Sequence, residues 1–363
     1  MRAQNNSYPE AAAMRQALTT IGTGTFLFIT ISAGAQEKGK PPALPPINPA
    51  VARLSQTIHG LDGAGFAIAY GENSDLLFAA CENGTIQGWK KDVLIGIRSG
   101  SGSANRLRGH QGPILRLAWN GGPVLASLGS DHKILLWSVK EGTVLKSFDT
   151  QGNLRTLAMS PDGNTLAGAG EDHAVQLWDL PEGKAREKLN GHKDWVSALA
   201  YSPDGKWLAS GDFAGKVTLW DAAEGKKVRD VTPLPMPIPK DLPDPVPVQS
   251  LAFNPDAKFL VVGSDNGLVQ MVGVGDGKLV RPFAGHTSAV TGLAFHPTGN
   301  LLVSASKDRT LRLWNPANGQ AIKTLEGHEA WIEGVVFTSQ GTRLASVSAD
   351  QTVRLWDLTE LKK

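Results

Sequence analysis

The chain has little cysteine and almost no excess of either charge, and both shortages exclude whole classes of function. A single cysteine, Cys81, stands among 363 residues, so an intramolecular disulfide, a zinc site built on cysteines and a c-type haem motif are excluded. Basic residues number 36 against 34 acidic ones, which leaves a net charge of +2. Since a nucleic-acid-binding surface needs a broad positive field, we expect no nucleic acid as a partner.

The short motifs of common active sites are also missing. The sequence contains no G-x-S-x-G nucleophile elbow, no Walker phosphate-binding loop, no H-E-x-x-H zinc motif and no C-x-x-C pair. Each of these motifs supplies a reactive or ligand-binding group at a fixed spacing, so their absence argues against the corresponding enzyme classes. We therefore expect no enzymatic activity, no catalytic residue and no cofactor.

Glycine and proline, by contrast, are plentiful, at 41 and 22 residues. Both residues favour turns, and a high content of both is typical of folds in which many short strands alternate with turns. The hydrophobic fraction of 41% and the charged fraction of 19% are those of an ordinary globular protein. Composition therefore favours a globular domain with many strands.

The N-terminal segment, residues 1–35, has the pattern of a secretory signal peptide. Its most apolar part runs from Thr25 to Ile31, and Arg15 lies ahead of that part. Ala33 and Ala35 supply small residues at the two positions that signal peptidase recognises. We therefore expect export to the periplasm or to the cell exterior.

Two alternatives stay open at this end of the chain. Translation from Met14 would give a more regular signal than translation from Met1. The segment could also remain as an uncleaved membrane anchor, although it is short and rich in Thr and Gly for a spanning helix. Only in that case do we expect a membrane as a partner. Residues 36–50 follow as a stiff, proline-rich linker.

One unit recurs through residues 51–363, each time marked by a tryptophan that closes an apolar segment, with a period near 42 residues. A double-length gap between Trp220 and Trp314 conceals one further unit. Aligning Gly277 with Gly225 places Val272 where the tryptophan of that unit belongs, so seven units result. The six tryptophans are Trp89, Trp137, Trp178, Trp220, Trp314 and Trp356.

Each unit has the pattern of four short strands. In the fourth unit, an apolar strand over residues 195–201 ends at the turn sequence SPDG, residues 202–205. Proline presets one φ angle of such a turn, and glycine tolerates a positive one. Strands over residues 208–210 and 217–220 follow, and a Gly-Lys turn leads to the last strand. Period-two patterning with β-branched residues supports strands throughout.

Three units end in Trp-Asp, and this ending together with the period resembles the WD40 repeat. The resemblance implies an all-β fold over residues 51–363, a seven-bladed β-propeller of four-stranded antiparallel blades. The last unit stops after its third strand at Trp356-Asp357, whereas Arg53–Ile58 stands before the first unit as a spare fourth strand. Pairing these two strands would complete the last blade and leave no open sheet edge.

Polar residues recur at fixed offsets from the tryptophans, and the WD40 resemblance implies that they form a hydrogen-bonded Trp–Ser–His–Asp network inside each blade. The same residue types occur in hydrolase triads, but several near-copies favour a structural device that every blade needs. Blade 4 has Ala214 at the Asp position, blade 3 has Gly168 in place of Ser, and blades 1 and 5 keep little of the set. The complete sets are His110, Ser127, Asp131 and Trp137 in blade 2; His286, Ser304, Asp308 and Trp314 in blade 6; and His328, Ser346, Asp350 and Trp356 in blade 7.

Two loop histidines offer an alternative site. His132 and His173 stand at equivalent positions of adjacent blades, beside Asp131 and Asp172. They could meet at one face and hold a metal ion, but their separation lacks the short spacing of a zinc motif. We expect two loop histidines and no metal site.

Recognition is expected at one face of the ring, on the loops that enter each first strand, because variable loops on a rigid scaffold carry binding sites. Aligning the units places Trp195 and Trp331 at this rim, and tryptophan is enriched at binding hot spots. Lys193 and Asp194 adjoin Trp195 as further candidate contacts. The next ring inward contains the candidates Arg155 and Glu333, together with Phe66, Leu115, Ser197, Gln249 and Thr291.

A proline-rich insertion, residues 231–247, is expected on the same face. It contains seven prolines, which force an extended path. The insertion is interpreted either as a docking strip or lid for a partner, or as a spacer that compensates for the degenerate fifth unit. Pro237 and Pro239 are its candidate contacts.

We therefore expect a monomeric, non-enzymatic scaffold that presents a rigid propeller face to a protein or peptide. One alternative is a propeller enzyme, a lyase or hydrolase with its site in the central channel, but only Glu333 is acidic in the inner ring. A second alternative, an intracellular assembly subunit, applies if the signal peptide does not function. The fold alone does not name the partner.

Overall fold

The computed structural model describes residues 47–71, 75–90, 93–96, 106–150, 152–231 and 246–359. All of them lie within one compact unit, Leu44–Lys363. The signal peptide predicted over residues 1–35 and most of the linker lie outside the described residues. Pro237 and Pro239 of the insertion lie outside them as well.

In the described part of the chain, the strands form seven antiparallel sheets, which confirms the all-β, seven-bladed propeller. Strand β1 is Arg53–Ile58. From the axis outward, blade 1 consists of β2 (Gly65–Gly71), β3 (Leu76–Cys81), β4 (Thr85–Lys90) and β5 (Val93–Gly96), and β6 (Arg106–Arg108) also pairs with β4. Blade 2 consists of β7 (Ile114–Ala118), β8 (Val124–Gly129), β9 (Lys133–Ser138) and β10 (Val144–Asp149).

Blades 3 to 5 follow the same order. Blade 3 consists of β11 (Leu154–Met159), β12 (Thr165–Gly170) and β13 (Ala174–Asp179), with an outer strand in two pieces, β14 (Lys184–Ala185) and β15 (Leu189–Asn190). Blade 4 consists of β16 (Val196–Tyr201), β17 (Trp207–Asp212), β18 (Val217–Asp221) and β19 (Lys227–Val231). Blade 5 consists of β20 (Val248–Phe253), β21 (Phe259–Ser264), β22 (Val269–Gly273) and β23 (Leu279–Phe283).

The last two blades complete the ring. Blade 6 consists of β24 (Val290–Phe295), β25 (Leu302–Ser306), β26 (Leu311–Trp314) and β27 (Ala321–Leu325). Blade 7 consists of β28 (Ile332–Thr338), β29 (Arg343–Ser348), β30 (Val353–Asp357) and, as its outer strand, β1. Two short 3-10 turns accompany these blades: Pro49–Val51 lies against β27 of blade 6, and Ser339–Gly341 lies against β28 and β29 of blade 7.

The fifth blade tests the count of seven, because its tryptophan is missing. Val272 lies opposite Leu260 in the register of β21 and β22, as Trp220 lies opposite Leu208 in blade 4. Its side chain is fully buried. A smaller apolar residue therefore occupies the tryptophan position without loss of the blade.

The first strands surround the axis, and consecutive first strands contact one another around the whole ring, including β2 with β28. Among the described residues, one apolar cluster fills each of the seven blade interfaces. Second strands are sandwiched between neighbouring blades, and all six residues of β12 are buried. The core is therefore spread around the ring between blades rather than at one centre.

Blade 7 takes its outer strand from the beginning of the propeller. In the register of β1 with β30, Leu54 lies opposite Trp356 and Ile58 lies opposite Val353. Ile58 also packs into the apolar cluster between blades 7 and 1. This pairing covers the edge of β30, which would otherwise be open to another chain.

Basic side chains of outer strands connect consecutive blades at the perimeter. Lys146 of blade 2 donates to the Glu182 carbonyl in blade 3, and Arg281 of blade 5 donates to the Ala317 carbonyl in blade 6. Lys323 of blade 6 donates from Nζ to the carbonyl of Ala50, ahead of β1, at 3.1 Å. In the first two contacts the acceptor lies in the turn after the third strand of the next blade. In the last contact Ala50, at the start of the propeller, takes the place of that turn.

Two residues of β1 test its pairing in solution. We expect Ile58→Asp to lower the free energy of unfolding by about 3 kcal/mol or more, because a carboxylate would enter the buried cluster between blades 7 and 1. Leu54→Asp in the same strand is the matched control, because Leu54 is 42% exposed, and we expect a change within about 0.5 kcal/mol. Urea unfolding measures both, and equal effects would contradict the docked position of β1.

Candidate functional site

Every first strand begins with a β-bulge at the same place. In each blade the register against the second strand skips one residue near the start of the first strand. A bulge turns a side chain away from the regular alternation, and such bulges often lie beside binding sites. The skipped residues are Phe66, Leu115, Arg155, Ser197, Gln249, Thr291 and Glu333.

These bulged residues are the inner ring expected from sequence, and five of them line a cavity of about 180 Å³ in the central channel. Blades 2 and 3 differ from the expectation. There the residue after the bulge, Arg116 or Thr156, lines the channel. Leu115 and Arg155 instead line a separate cavity of about 260 Å³ between these two blades. Arg116 is thus a channel residue that the sequence alignment missed by one position.

Trp195 lies half-buried at the rim and packs between blades 3 and 4. The Arg155 guanidinium lies over its ring at 4.6 Å, and the Phe213 ring lies 5.7 Å away. Arg155 also donates from Nη2 to Oε1 of Glu171 at 2.8 Å. Trp195 is therefore fixed by a cation–π contact and an aromatic neighbour.

The backbone at Trp195 is held by its neighbour Asp194. The Asp194 Oδ1 atom accepts the backbone N–H of Trp195 at 2.7 Å. Lys193, one residue earlier, has an exposed side chain. Lys193 and Asp194 therefore lie on the same rim segment as Trp195, and Asp194 is the residue that holds the Trp195 backbone.

Trp331 is the most exposed large hydrophobic residue of the described chain, at 54%. The Lys307 ammonium lies 4.8 Å from the centre of its ring. The Trp331 carbonyl accepts the Ala349 N–H at 2.9 Å, which fixes the backbone of the rim segment. An indole held in this way offers a large apolar area to a partner at little cost in conformational entropy.

The channel mouth combines one carboxyl group with basic neighbours. Burial raises the pKa of Glu333, and the positive charges of Lys307 and Arg116 partly offset that rise. Burial lowers the pKa of Arg116, Glu333 raises it and Arg155 lowers it further. These four side chains therefore interact electrostatically across blades 2, 3, 6 and 7.

The predicted polar sets of blades 2, 6 and 7 each form one hydrogen-bonded chain. In blade 2, Trp137 Nε1 donates to Ser127 Oγ at 2.8 Å, and Ser127 Oγ lies 2.7 Å from His110 Nε2. His110 Nδ1 lies 2.9 Å from Asp131 Oδ1. Since the indole only donates and an ionised carboxylate only accepts, the serine donates to a neutral imidazole that carries its proton on Nδ1.

The other two sets repeat this geometry. The corresponding His–Asp distance is 2.7 Å in both, for His286 with Asp308 and for His328 with Asp350. Ser304 and Ser346 lie between histidine and tryptophan with distances of 2.7 to 2.9 Å. Both serines are fully buried, so a substrate has no access to them. The sets stabilise the blades rather than forming triads.

Hydrogen bonding determines the charge state of the network in blade 2. Burial lowers the pKa of His110, against the opposing effect of Asp131, so the imidazole stays neutral near neutral pH. Burial would raise the pKa of Asp131, but hydrogen bonds from the Gln111 N–H and from His110 lower it overall. The carboxylate therefore stays ionised and accepts from the histidine.

Blade 4 also has a complete network, which corrects the sequence expectation. His192 Nδ1 lies 2.7 Å from Asp212 Oδ2, and Ser210 Oγ lies 2.6 Å from His192 Nε2 and 2.7 Å from Trp220 Nε1. Asp212 ends β17 and is fully buried, whereas Ala214 is exposed. The carboxylate comes from two positions earlier than the repeat predicts.

Blade 2 explains how Asp212 reaches the histidine. Gly129 stands where Asp212 stands, two residues after the network serine, and a Cβ atom there would lie 2.3 Å from both His110 Nδ1 and Asp131 Oδ1. A side chain from this position therefore points directly at the network histidine. The signal in the sequence was an acidic residue two positions after the network serine.

The loop histidines and blade 3 complete the comparison with the sequence. His132 and His173 both adopt positive φ in their loops, and the described residues contain no group of three His, Cys, Asp or Glu side chains suited to a metal ion. Within those residues, no helix is long and apolar enough to span a membrane. In blade 3, Asp172 accepts from Lys188 Nζ at 2.8 Å instead of from a histidine.

Asp212 provides a test of the blade 4 network. We expect Asp212→Ala to lower the free energy of unfolding by about 1–3 kcal/mol, because the buried His192 N–H loses its acceptor. Asp149→Ala is the control, since the Asp149 side chain is 84% exposed, and its effect should stay within about 0.5 kcal/mol. Chemical unfolding measures both.

A rewired variant makes the same test sharper. The double substitution Asp212→Gly with Ala214→Asp gives blade 4 the arrangement of blade 2, so it should recover most of the stability that Asp212→Gly alone loses. Equal stability of Asp212→Ala and Asp149→Ala, or no recovery in the double variant, would show that Asp212 does not support His192.

Comparison with known families agrees with this geometry. A model of the WD40 family, described as WD domain, G-beta repeat, matches residues 142–179, 183–221, 242–271, 277–315 and 319–357, just over half of the chain. Four of the five matches begin at the outer strand of one blade and end at the third strand of the next. A comparison with curated proteins gave no match. The chain belongs to the WD40 repeat family.

Proposed function

We propose that the chain is a non-enzymatic scaffold that binds a protein or peptide on the rim face carrying Trp195 and Trp331. WD40 propellers commonly serve as protein-interaction scaffolds. The observation that carries the proposal is the 54% exposure of Trp331 on a backbone that is held in place. Exposed tryptophans on ordered surfaces are typical anchors of protein interfaces.

The rigidity of the rim supports the same proposal. The network histidines His192 and His328 stand three residues before Trp195 and Trp331. Each histidine is tied to the second and third strands of its own blade through serine and tryptophan. A face ordered before binding loses less conformational entropy when a partner docks.

The channel gives less support to an enzyme. Among the described channel-lining residues, Glu333 is the one carboxylate and Arg116 the one cation. General acid–base catalysis by a carboxylate pair needs a second such group, and in the described residues the channel lining supplies none. The scaffold proposal therefore stands ahead of the lyase or hydrolase alternative.

We also propose that the protein is exported, on the basis of residues 1–35. Fractionation of native cells tests this, with the protein expected in the exported fraction. Recovery in the cytosol would favour the intracellular assembly subunit.

Trp331 is the position at which binding is tested. We expect Trp331→Ala to weaken capture of the partner by about thirtyfold, since a hot-spot tryptophan contributes about 2 kcal/mol. The partner is captured from the native host by affinity purification and identified by mass spectrometry, and its affinity for each variant is then measured with purified components.

Leu145→Ala is the matched control for that experiment. Leu145 is also an exposed apolar residue, at 43%, but it lies on the outer strand of blade 2. Its substitution should leave binding unchanged, and both variants should unfold at the temperature of the unmodified protein. A partner that binds Trp331→Ala as tightly as the unmodified protein would refute the rim face.

A further inference from the structure

Arg116 is a charged channel residue that no neighbour neutralises. Its side chain lines the central cavity one position after the bulge of β7. The guanidinium donates once, from Nη1 to the Leu115 carbonyl at 2.8 Å. A guanidinium has five N–H donors, and the other four have no partner among the described residues. No carboxylate of those residues lies within ion-pair distance of it.

The charges around Arg116 do not balance. Arg155, its basic neighbour, is already paired with Glu171 at 2.8 Å. Lys307 and Arg116 then share a single carboxyl group, Glu333, which makes an ion pair with neither. Positive charge therefore exceeds negative charge at the channel mouth, in surroundings where water screens it less than at the open surface.

Other polar groups of the wall are committed to the scaffold. Ser250 Oγ donates to the Val290 carbonyl of the next blade at 2.7 Å, and Thr291 Oγ1 donates to the Ile332 carbonyl at 2.5 Å. Ser197 donates to the Val248 carbonyl in the same way. Gln249 Nε2 donates to Asp265 at 2.9 Å. Among the described channel-lining residues, Arg116 is the one cationic donor that an entering group meets, beside the hydroxyl of Thr156.

The size of the cavity limits what can enter. A volume of about 180 Å³ is below the 300–1,000 Å³ or so of sites for drug-sized ligands and cofactors. It has room for a single side chain. A phosphate group would bring a charge of about −1.5 to −2 next to Glu333, whereas a carboxylate brings one negative charge to the excess positive charge of the mouth.

From this placement we infer that the channel mouth is a subsite for a carboxylate side chain, Asp or Glu, of the peptide that docks on the rim. Arg116 is its ligand, since a guanidinium binds a carboxylate through two parallel hydrogen bonds. The inference rests on the proposed function and adds a chemical requirement on the partner. Trp331 would anchor the peptide at the rim while its acidic side chain enters the channel.

The test is a double-mutant cycle with selected peptides. A displayed library of random peptides is selected on the purified protein, and binders that weaken with Trp331→Ala are kept. We expect these binders to share an Asp or Glu. Replacing that residue by Asn or Gln should weaken binding to the unmodified protein about tenfold or more, but should change binding to Arg116→Met little.

Two further variants separate the subsite from general charge attraction. Arg309→Met removes an exposed cation from the turn between β25 and β26, on the same face, and should leave the tenfold effect intact. Glu333→Gln removes the like charge beside the subsite and should tighten binding of the acidic peptides. The inference would be overturned if the peptide substitution weakened binding to the unmodified protein and to Arg116→Met equally. It would also be overturned if Glu333→Gln bound the acidic peptides less tightly. Neither result would affect the rim proposal.

A probe that needs no peptide separates the two proposals completely. Butyrate carries a single carboxylate on a carbon chain like that of a glutamate side chain, and a ligand that binds the folded state raises the unfolding temperature of the protein. We expect butyrate to raise this temperature above the value in sodium chloride of equal ionic strength, and Arg116→Met to abolish the difference. An equal rise in unfolding temperature in the unmodified protein and Arg116→Met would overturn the subsite. Selected peptides that all bind Trp331→Ala as tightly as the unmodified protein would instead overturn the proposed face.

Discussion

The hydrogen-bonded chain from tryptophan through serine and histidine to aspartate is the interaction on which the rest of the structure depends. It ties the third strand of a blade to the second through tryptophan and serine. The histidine then ties the serine to the loop that enters the first strand, and the aspartate ties the histidine to the end of the second strand or to the turn that follows it. Each buried member is satisfied by the next, and leaving one unsatisfied would cost more than the bonds contribute singly. The two rim tryptophans lie on blades 4 and 7, and both blades have the full network. The same device thus stabilises the blades and positions the face proposed for binding.

Connections between blades convert these separate units into one ring. Hydroxyl groups of the first strands bond to carbonyls of the next blade near the axis, as Thr291 does with Ile332. Basic side chains of outer strands do the same at the perimeter, as Lys323 does with Ala50. Bulges repeated in all first strands then aim one residue per blade toward the axis or the neighbouring blade. The result is an ordered rim around a small channel lined by one guanidinium and one carboxyl group.

Much of the fold could be predicted from the sequence, because each repeat shows the same pattern of strands, turns and tryptophan. The tryptophan period predicted seven blades even with Val272 in the fifth, and the spare strand Arg53–Ile58 ahead of the first unit predicted the outer strand of blade 7. The errors arose where one residue's position depends on three-dimensional neighbours. Asp212 reaches His192 from a position that is glycine in blade 2, so a fixed offset could not find it. Arg116 was missed because the bulge changes which residue faces the channel, and the packing of Trp195 depends on Arg155 of another blade.

The central claim is that the polar networks make individual blades rigid, and native-state hydrogen exchange tests it most directly. Exchange is measured for backbone amides in the second and third strands, where network and ladder hydrogen bonds meet. The account predicts slower exchange in blades 2, 4, 6 and 7 than in blades 1 and 5, with blade 4 among the protected blades because of Asp212. Equal protection of blades 1 and 5 with the other four would contradict it.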